Sequence, residues 1–226
     1  MFILGVADAS AKPLIKDGQK LAFLGDSITQ QGWGNPKGYV RLVLAGLATN
    51  GINVSSVPAG IGGHKSNQML ERLQRDVLSK NPDWMTLSCG VNDVWHGTNG
   101  IPLDQYKTNI TAIVERCQAA GVKVMLLTAT VITEDLKNEN NQKLAAYNDF
   151  LRALAKKKKC PLADLNQMFQ QVLKANQKPG LVLTADGVHM NPEGDKLMAK
   201  GILKAFGLKD AQLKKAEEAW VALPAK

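Results

Sequence analysis

The chain has 226 residues, a net charge of +8, 45% hydrophobic and 21% charged residues, and 5% aromatics. That length suits one well-packed domain and is short for two. The composition is that of an ordinary globular protein, and no apolar run approaches the length needed to span a bilayer. The basic residues are scattered, and their one dense cluster, Lys156 to Lys159, falls at the end of an expected helix, where cations complement the dipole. A nucleic-acid-binding module, motivated by charge alone, therefore ranks last, and no nucleic-acid partner is expected.

The opening "MFILGVADASAK" has a short apolar piece followed by Ala9-Ser10-Ala11, an A-x-A-like cleavage pattern without a basic leader. It reads either as a clipped export signal or as an ordinary leading segment. Residues 1–19 are assigned to it. Export, periplasmic or secreted, is the expectation that rests on it, with a cytoplasmic protein as the alternative.

Apolar runs then alternate with amphipathic stretches. The expected strands are Lys20–Leu24, Asn53–Val57, Trp84–Ser88, Lys123–Thr128 and a short Pro161–Asp164. The expected helices are Tyr39–Thr49, Asn67–Ser79, Leu103–Ala119, Asn141–Lys157, Asn166–Ala175, Pro192–Phe206 and Ala211–Leu223. Apolar residues recur at helical spacing, as in Met69, Leu70, Leu73 and Val77. Gly51 and Gly121 stand where helices should stop, and Asn191-Pro192 reads as an N-cap with proline in the first turn. The alternation implies an α/β fold: a parallel sheet of five strands with helices on both faces. Cys89, Cys117 and Cys160 show no paired metal spacing; Cys89 and Cys160 are placed in strands as small core residues.

A parallel sheet binds ligands beyond the carboxyl ends of its strands. Four polar or glycine-rich segments lie there or before a capped helix: Gly25-Asp26-Ser27, "PAGIGGHKS", "CGVNDVWHG" and "DGVHMNPEG". Ser27, at a strand end leading into a helical turn, has an exposed hydroxyl that needs a base to become a nucleophile. Of the three histidines, His189 follows Asp186 by three residues, a spacing that lets the carboxylate hold one ring nitrogen and point the other outward. A tetrahedral oxyanion needs donors; the backbone N–H groups of Ser27 and Gly63 and the side-chain amide of Asn92 are the candidates. His64, Trp95 and His96 could rim the pocket and touch substrate, although packing roles compete for each. Asp26 and Asp93 read as braces of their turns, and Ser27 alone would read as a helix N-cap. "GIGGHKS" fails the P-loop pattern because His64 replaces the last glycine, and no G-x-S-x-G elbow is present.

Gly25-Asp26-Ser27-Ile28, Gly63, Gly90-Val91-Asn92-Asp93 and Asp186-Gly187-Val188-His189 resemble, in order and spacing, the four blocks of the SGNH (GDSL-type) hydrolases. The resemblance runs from about Lys20 to Phe206 and places the hydrolase domain at residues 20–208, with 209–226 as a C-terminal helix on the same domain. It implies a flavodoxin-like three-layer α/β/α sandwich that hydrolyses esters without a metal or organic cofactor. It also implies Ser27 as nucleophile, His189 as base, Asp186 as its orienter, and Ser27, Gly63 and Asn92 as the oxyanion hole. One departure stands out: Pro58 occupies the position, two before the block's first glycine, where the family often has Asn. The expected function is hydrolysis of short acyl esters, chiefly acetyl on carbohydrate, so the expected partner is a small-molecule or saccharide ester. A lysophospholipase or lipase-like esterase is the alternative within the class, and a carbohydrate-binding relative is the non-enzyme alternative.

Overall fold

The first strand shows why the sheet is buried on both faces. In Lys20–Gly25 (β1) every residue after the first is buried. Leu21 and Phe23 point into one apolar cluster, Ala22 and Leu24 into another. Alternate side chains of a strand face opposite ways, so a strand apolar at every position must lie between two layers. The computed structural model describes residues 12–176 and 180–224 of the chain. The Ala9-Ser10-Ala11 pattern, and the export expectation built on it, lie outside the described residues.

The other strands are Ser55–Gly60 (β2), Trp84–Ser88 (β3), Lys123–Leu127 (β4) and Leu162–Ala163 (β5). All pair in parallel, in the order β2-β1-β3-β4-β5. Helices Ser66–Asp76 (α3) and Leu103–Ala119 (α5) cover one face; Tyr39–Thr49 (α2), Leu165–Ala175 (α7), Pro192–Ala205 (α8) and Asp210–Val221 (α9) cover the other. The long helix Glu139–Lys158 (α6) contributes Leu144 to one cluster and Leu151 and Leu154 to the other. This is the three-layer α/β/α sandwich with a five-stranded parallel sheet that the sequence implied. Helix α9 lies on α2, where Trp220 donates its ring N–H to the Leu42 carbonyl at 2.8 Å and Ala216 meets Gly46.

Two short helices absent from the sequence reading, Ser27–Gly34 (α1) and Val91–Trp95 (α4), open directly from the ends of β1 and β3. β2 starts and ends later than expected, at Ser55 and Gly60 rather than Asn53 and Val57. Among the described residues it is an edge strand, pairing with β1 alone. That explains how it carries Pro58, which has no N–H to give a second neighbour. Cys89 and Cys160 lie just outside β3 and β5 rather than within them; Cys89 is buried and Cys160 half-buried.

The chain turns to one side of β1 to make β2 and then crosses to the other side to make β3. This reversal opens a crevice at the carboxyl ends of β1 and β3. α1 and α4 start in that crevice.

Candidate active site

Asp26 caps α1: its carboxylate accepts the Ile28 N–H at 3.0 Å. The cap that the sequence allowed Ser27 to be is therefore its neighbour, and Ser27 occupies the first helical position. This leaves the serine hydroxyl free of capping duty, at the positive end of a helix.

The hydroxyl instead meets His189. Ser27 Oγ and His189 Nε2 are 2.9 Å apart, and His189 Nδ1 and Asp186 Oδ2 are 2.7 Å apart. The other Asp186 oxygen accepts the backbone N–H groups of Val188 and His189 at 2.9 and 2.8 Å. Burial pushes the Asp186 carboxyl up, but the His189 ring and these two backbone donors outweigh it and hold the pKa down to about 2. An ionised acceptor on Nδ1 leaves Nε2 as the nitrogen facing the serine.

The other expected oxyanion donors stand on the loop after β2 and on α4. Gly63 has φ +74, a left-handed conformation that glycine adopts freely, and a Cβ there would meet open space. A side chain on Gly60, three residues earlier at the end of β2, would collide with the Gln30 backbone of α1, so β2 and α1 can approach closely only through that glycine. Gly62 is tied to α1 by its N–H to Gln30 Oε1 at 2.9 Å. Buried Arg72 of α3 donates to the Gly25 carbonyl, the last of β1, and to the Ala59 carbonyl, the last but one of β2, at 2.8 Å each. It links the serine turn to the glycine loop.

The Asn92 amide is oriented from both ends. Its Nδ2 donates to Asp26 Oδ2 and to the His64 carbonyl at 3.3 Å each, and its Oδ1 lies 3.1 Å from His96 Nε2. Two acceptors face the NH2 group, so the oxygen must face His96, whose Nε2 is then the donor. Burial raises Asp26 to about 6, against the pull of the Ile28 N–H and with a push from Asp93. Burial also raises Asp93, which is opposed by the Ser66 hydrogen bonds.

Of the three expected substrate contacts, His96 is engaged with Asn92. His64 lends its carbonyl to the same amide, while its ring Nδ1 is buried with no hydrogen-bond partner among the described residues. Trp95 is 45% exposed, with its ring centroid 6.2 Å from that of His96. Asp26 and Asp93 brace their turns as expected, and Asp26 also contacts Asn92. Arg72 was missed, although a signal existed: it stands beside Met69 and Leu73 on the otherwise apolar stripe of α3, where an arginine needs internal partners.

The GDSL-like Lipase/Acylhydrolase family profile matches residues 23–197. The chain belongs to this family. It is a carboxylic ester hydrolase with the SGNH fold. A curated acetylxylan esterase of Geobacillus stearothermophilus is 26% identical over 212 residues, covering 85% of this chain and 96% of that protein. The crystal structure of Axe2, an acetylxylan esterase from Geobacillus stearothermophilus, is 25% identical and superposes with a TM-score of 0.78, covering 87% of the hydrolase and 97% of that chain. Further structures of Axe2 are titled catalytic mutants and carry alanine in place of a serine or of a histidine. The acetyl xylan esterase AlAXEase is 36% identical, with a TM-score of 0.75, and covers 82% of the hydrolase and 98% of that chain. A lipoprotein of Bacillus subtilis, YqeF, is 26% identical and covers 66% of the hydrolase and 72% of that protein.

Proposed function

We propose that the hydrolase removes short acyl groups, chiefly acetyl, from esterified carbohydrate through a covalent acyl-enzyme, with Ser27 as nucleophile, His189 as general base and Asp186 as its orienter. The observation that carries this is the unbroken run of contacts from Ser27 Oγ through the His189 ring to Asp186, 2.9 and 2.7 Å.

In the proposed reaction His189 Nε2 takes the Ser27 proton as Oγ attacks the ester carbonyl. The N–H groups of Ser27 and Gly63 receive the oxyanion together with the Asn92 amide, which turns one N–H to it from its 3.3 Å contacts with Asp26 and the His64 carbonyl, each donor contributing about 3 kcal/mol to the transition state. The tetrahedral intermediate collapses with cleavage of the ester C–O bond, and His189 gives the proton to the departing sugar oxygen, which leaves as a hydroxyl. Water then enters, gives its proton to His189 and attacks the acyl carbon; Ser27 leaves with that proton, and the acid is released. Asp186 stays ionised throughout and stabilises the imidazolium.

The carbohydrate ester is supported by the names of the two acetylxylan esterase relatives. The same proposal takes residues 20–208 as one catalytic domain with α9 on its flank. It places the protein outside the cytoplasm, supported by the lipoprotein relative. Among the described residues no helix is long and apolar enough to cross a membrane.

The test is hydrolysis of p-nitrophenyl esters from acetate to long acyl chains, together with acetate release from acetylated xylooligosaccharides, by wild type and Ser27→Ala. Serine-dependent turnover that falls with chain length, with acetate released from the sugar, is the expected outcome. A rate that climbs with chain length would replace the saccharide substrate by a lipid one.

A further inference from the structure

Asp186 and His189 do not stand on a strand of the sheet. They sit at the tip of a small hairpin in which Thr184 and Met190 face each other as an isolated antiparallel bridge. Ala185 N–H donates to the His189 carbonyl at 2.8 Å, and Asn191 N–H to the Leu183 carbonyl at 3.1 Å. Such a short two-stranded ribbon is marginal by itself. Its placement against Ser27 therefore depends on what holds its outer strand, residues 182–184.

One side chain takes all three of that strand's N–H groups. Glu134, on the loop after β4, accepts Val182 N–H on Oε2 at 2.7 Å. Its Oε1 accepts Leu183 N–H at 2.8 Å, Thr184 N–H at 2.7 Å and the Thr184 hydroxyl at 2.7 Å. On the acceptor side, the Asn191 amide donates to the Val182 and Thr184 carbonyls at 3.0 and 3.3 Å. The carboxylate thus stands where a neighbouring strand would stand. Its loop is tied down in turn: the Asn141 amide of α6 donates to the carbonyls of Thr133 and Asp135, and Thr133 has φ +65, a left-handed conformation rare for a β-branched residue. Thr133 N–H also donates to the Gly187 carbonyl at the hairpin tip at 2.8 Å.

We propose that Glu134 is a positioning residue for the hydrolysis: its carboxylate replaces a missing strand and sets the Asp186–His189 tip in register with Ser27. The proposal rests on the reading of Ser27 and His189 as the reacting pair. Charge-assisted bonds to backbone N–H groups are among the stronger hydrogen bonds, and displacement of a base by about 1 Å can cost about a hundredfold in rate. Burial works against the Glu134 carboxylate, but the Thr184 hydroxyl and the three backbone donors outweigh it and lower its pKa.

The experiment compares Glu134→Ala, Glu134→Gln, Leu213→Ala and Ser27→Ala on p-nitrophenyl acetate, well below each variant's Tm. Leu213 is buried on α9 and serves as a stability control. Glu134→Ala is expected to lower kcat by about 10- to 100-fold with KM within about twofold. Glu134→Gln keeps one acceptor oxygen and should recover part of that loss. Leu213→Ala should lower Tm and leave kcat unchanged. If Glu134→Ala does not fold, the Gln variant carries the test through its own kcat deficit. A folded Glu134 variant series with wild-type kcat, or kcat losses equal to those of Leu213→Ala, would overturn the proposal. Activity retained by Ser27→Ala would instead remove the reading on which it rests.

Discussion

The two halves of the candidate site are held in place by different means. Ser27 and Asn92 stand on helices that leave the sheet directly, beside the buried carboxylates of Asp26 and Asp93 and the buried guanidinium of Arg72. His189 and Asp186 stand on a hairpin outside the sheet, and the Asp186 side chain is 52% exposed. The first half inherits its geometry from parallel strand pairing, a cooperative element of the core. The second half borrows its geometry from hydrogen bonds supplied by loops and caps: Glu134, Thr133 and Asn191. A fold of this kind can carry a precise nucleophile and a separately mounted base, and the two should fail differently under substitution.

The largest effects should remove the difference, because Ser27 and His189 meet in one bond. Ser27→Ala and His189→Ala are each expected to lower kcat by about a thousandfold or more, and the double variant should be little worse than either alone. Steady-state kinetics on p-nitrophenyl acetate checks this; additive losses would show that the two groups do not act together. Next, Asn92→Ala belongs to the strand-end half and should cost about 100- to 1,000-fold in kcat with a smaller change in KM. His96→Ala frees the Asn92 oxygen and should cost less than Asn92→Ala. If it costs more, His96 itself meets substrate. Glu134→Ala, in the hairpin half, should fall below Asn92→Ala in effect.

The smallest expected effect concerns the link between the halves. Asp195, in the first turn of α8 behind the hairpin, accepts the Tyr39 N–H at 2.8 Å, and burial, opposed by that bond, raises its pKa to about 6. The native state then keeps a proton that the unfolded chain, with its carboxyl near 3.8, gives up. The stability linked to this proton is fully present below pH 3.8 and drains away as pH rises through about 6. Compared with Asp195→Asn, the wild type should gain about 1 kcal/mol or more between pH 7.5 and 4.5. Denaturant unfolding at several pH values measures the gap, and parallel curves for the two proteins would contradict the assignment.

Half of this site is legible in the sequence because it falls at strand ends, which are marked by the change from apolar runs to glycine and polar residues. Ser27 and Asn92 are reached that way, and Asp186 and His189 through their three-residue spacing ahead of a capped helix; the structure joins Ser27, His189 and Asp186 in one run of contacts and sets Asn92 against Asp26. The elements misread were the short ones. α1 is eight residues with two glycines, too brief to show a helical stripe, and α4 is five. β2 was placed early because its two serines and exposed Pro58 hide the alternation on an edge strand. The N-cap fell to Asp26 rather than Ser27, a choice between neighbours that composition leaves open. Glu134 was out of reach altogether. Its partners lie 48 to 50 residues downstream, and a lone glutamate in a loop carries no periodic signal.

The most direct test of the central claim is to treat the folded protein with a p-nitrophenyl alkylphosphonate, which traps an activated serine, and to locate the adduct by peptide mass spectrometry. The result expected is one phosphonyl group per chain, on the peptide carrying Ser27, with loss of esterase activity in proportion to labelling. Complete inactivation with the adduct on another residue and Ser27 unmodified would contradict it.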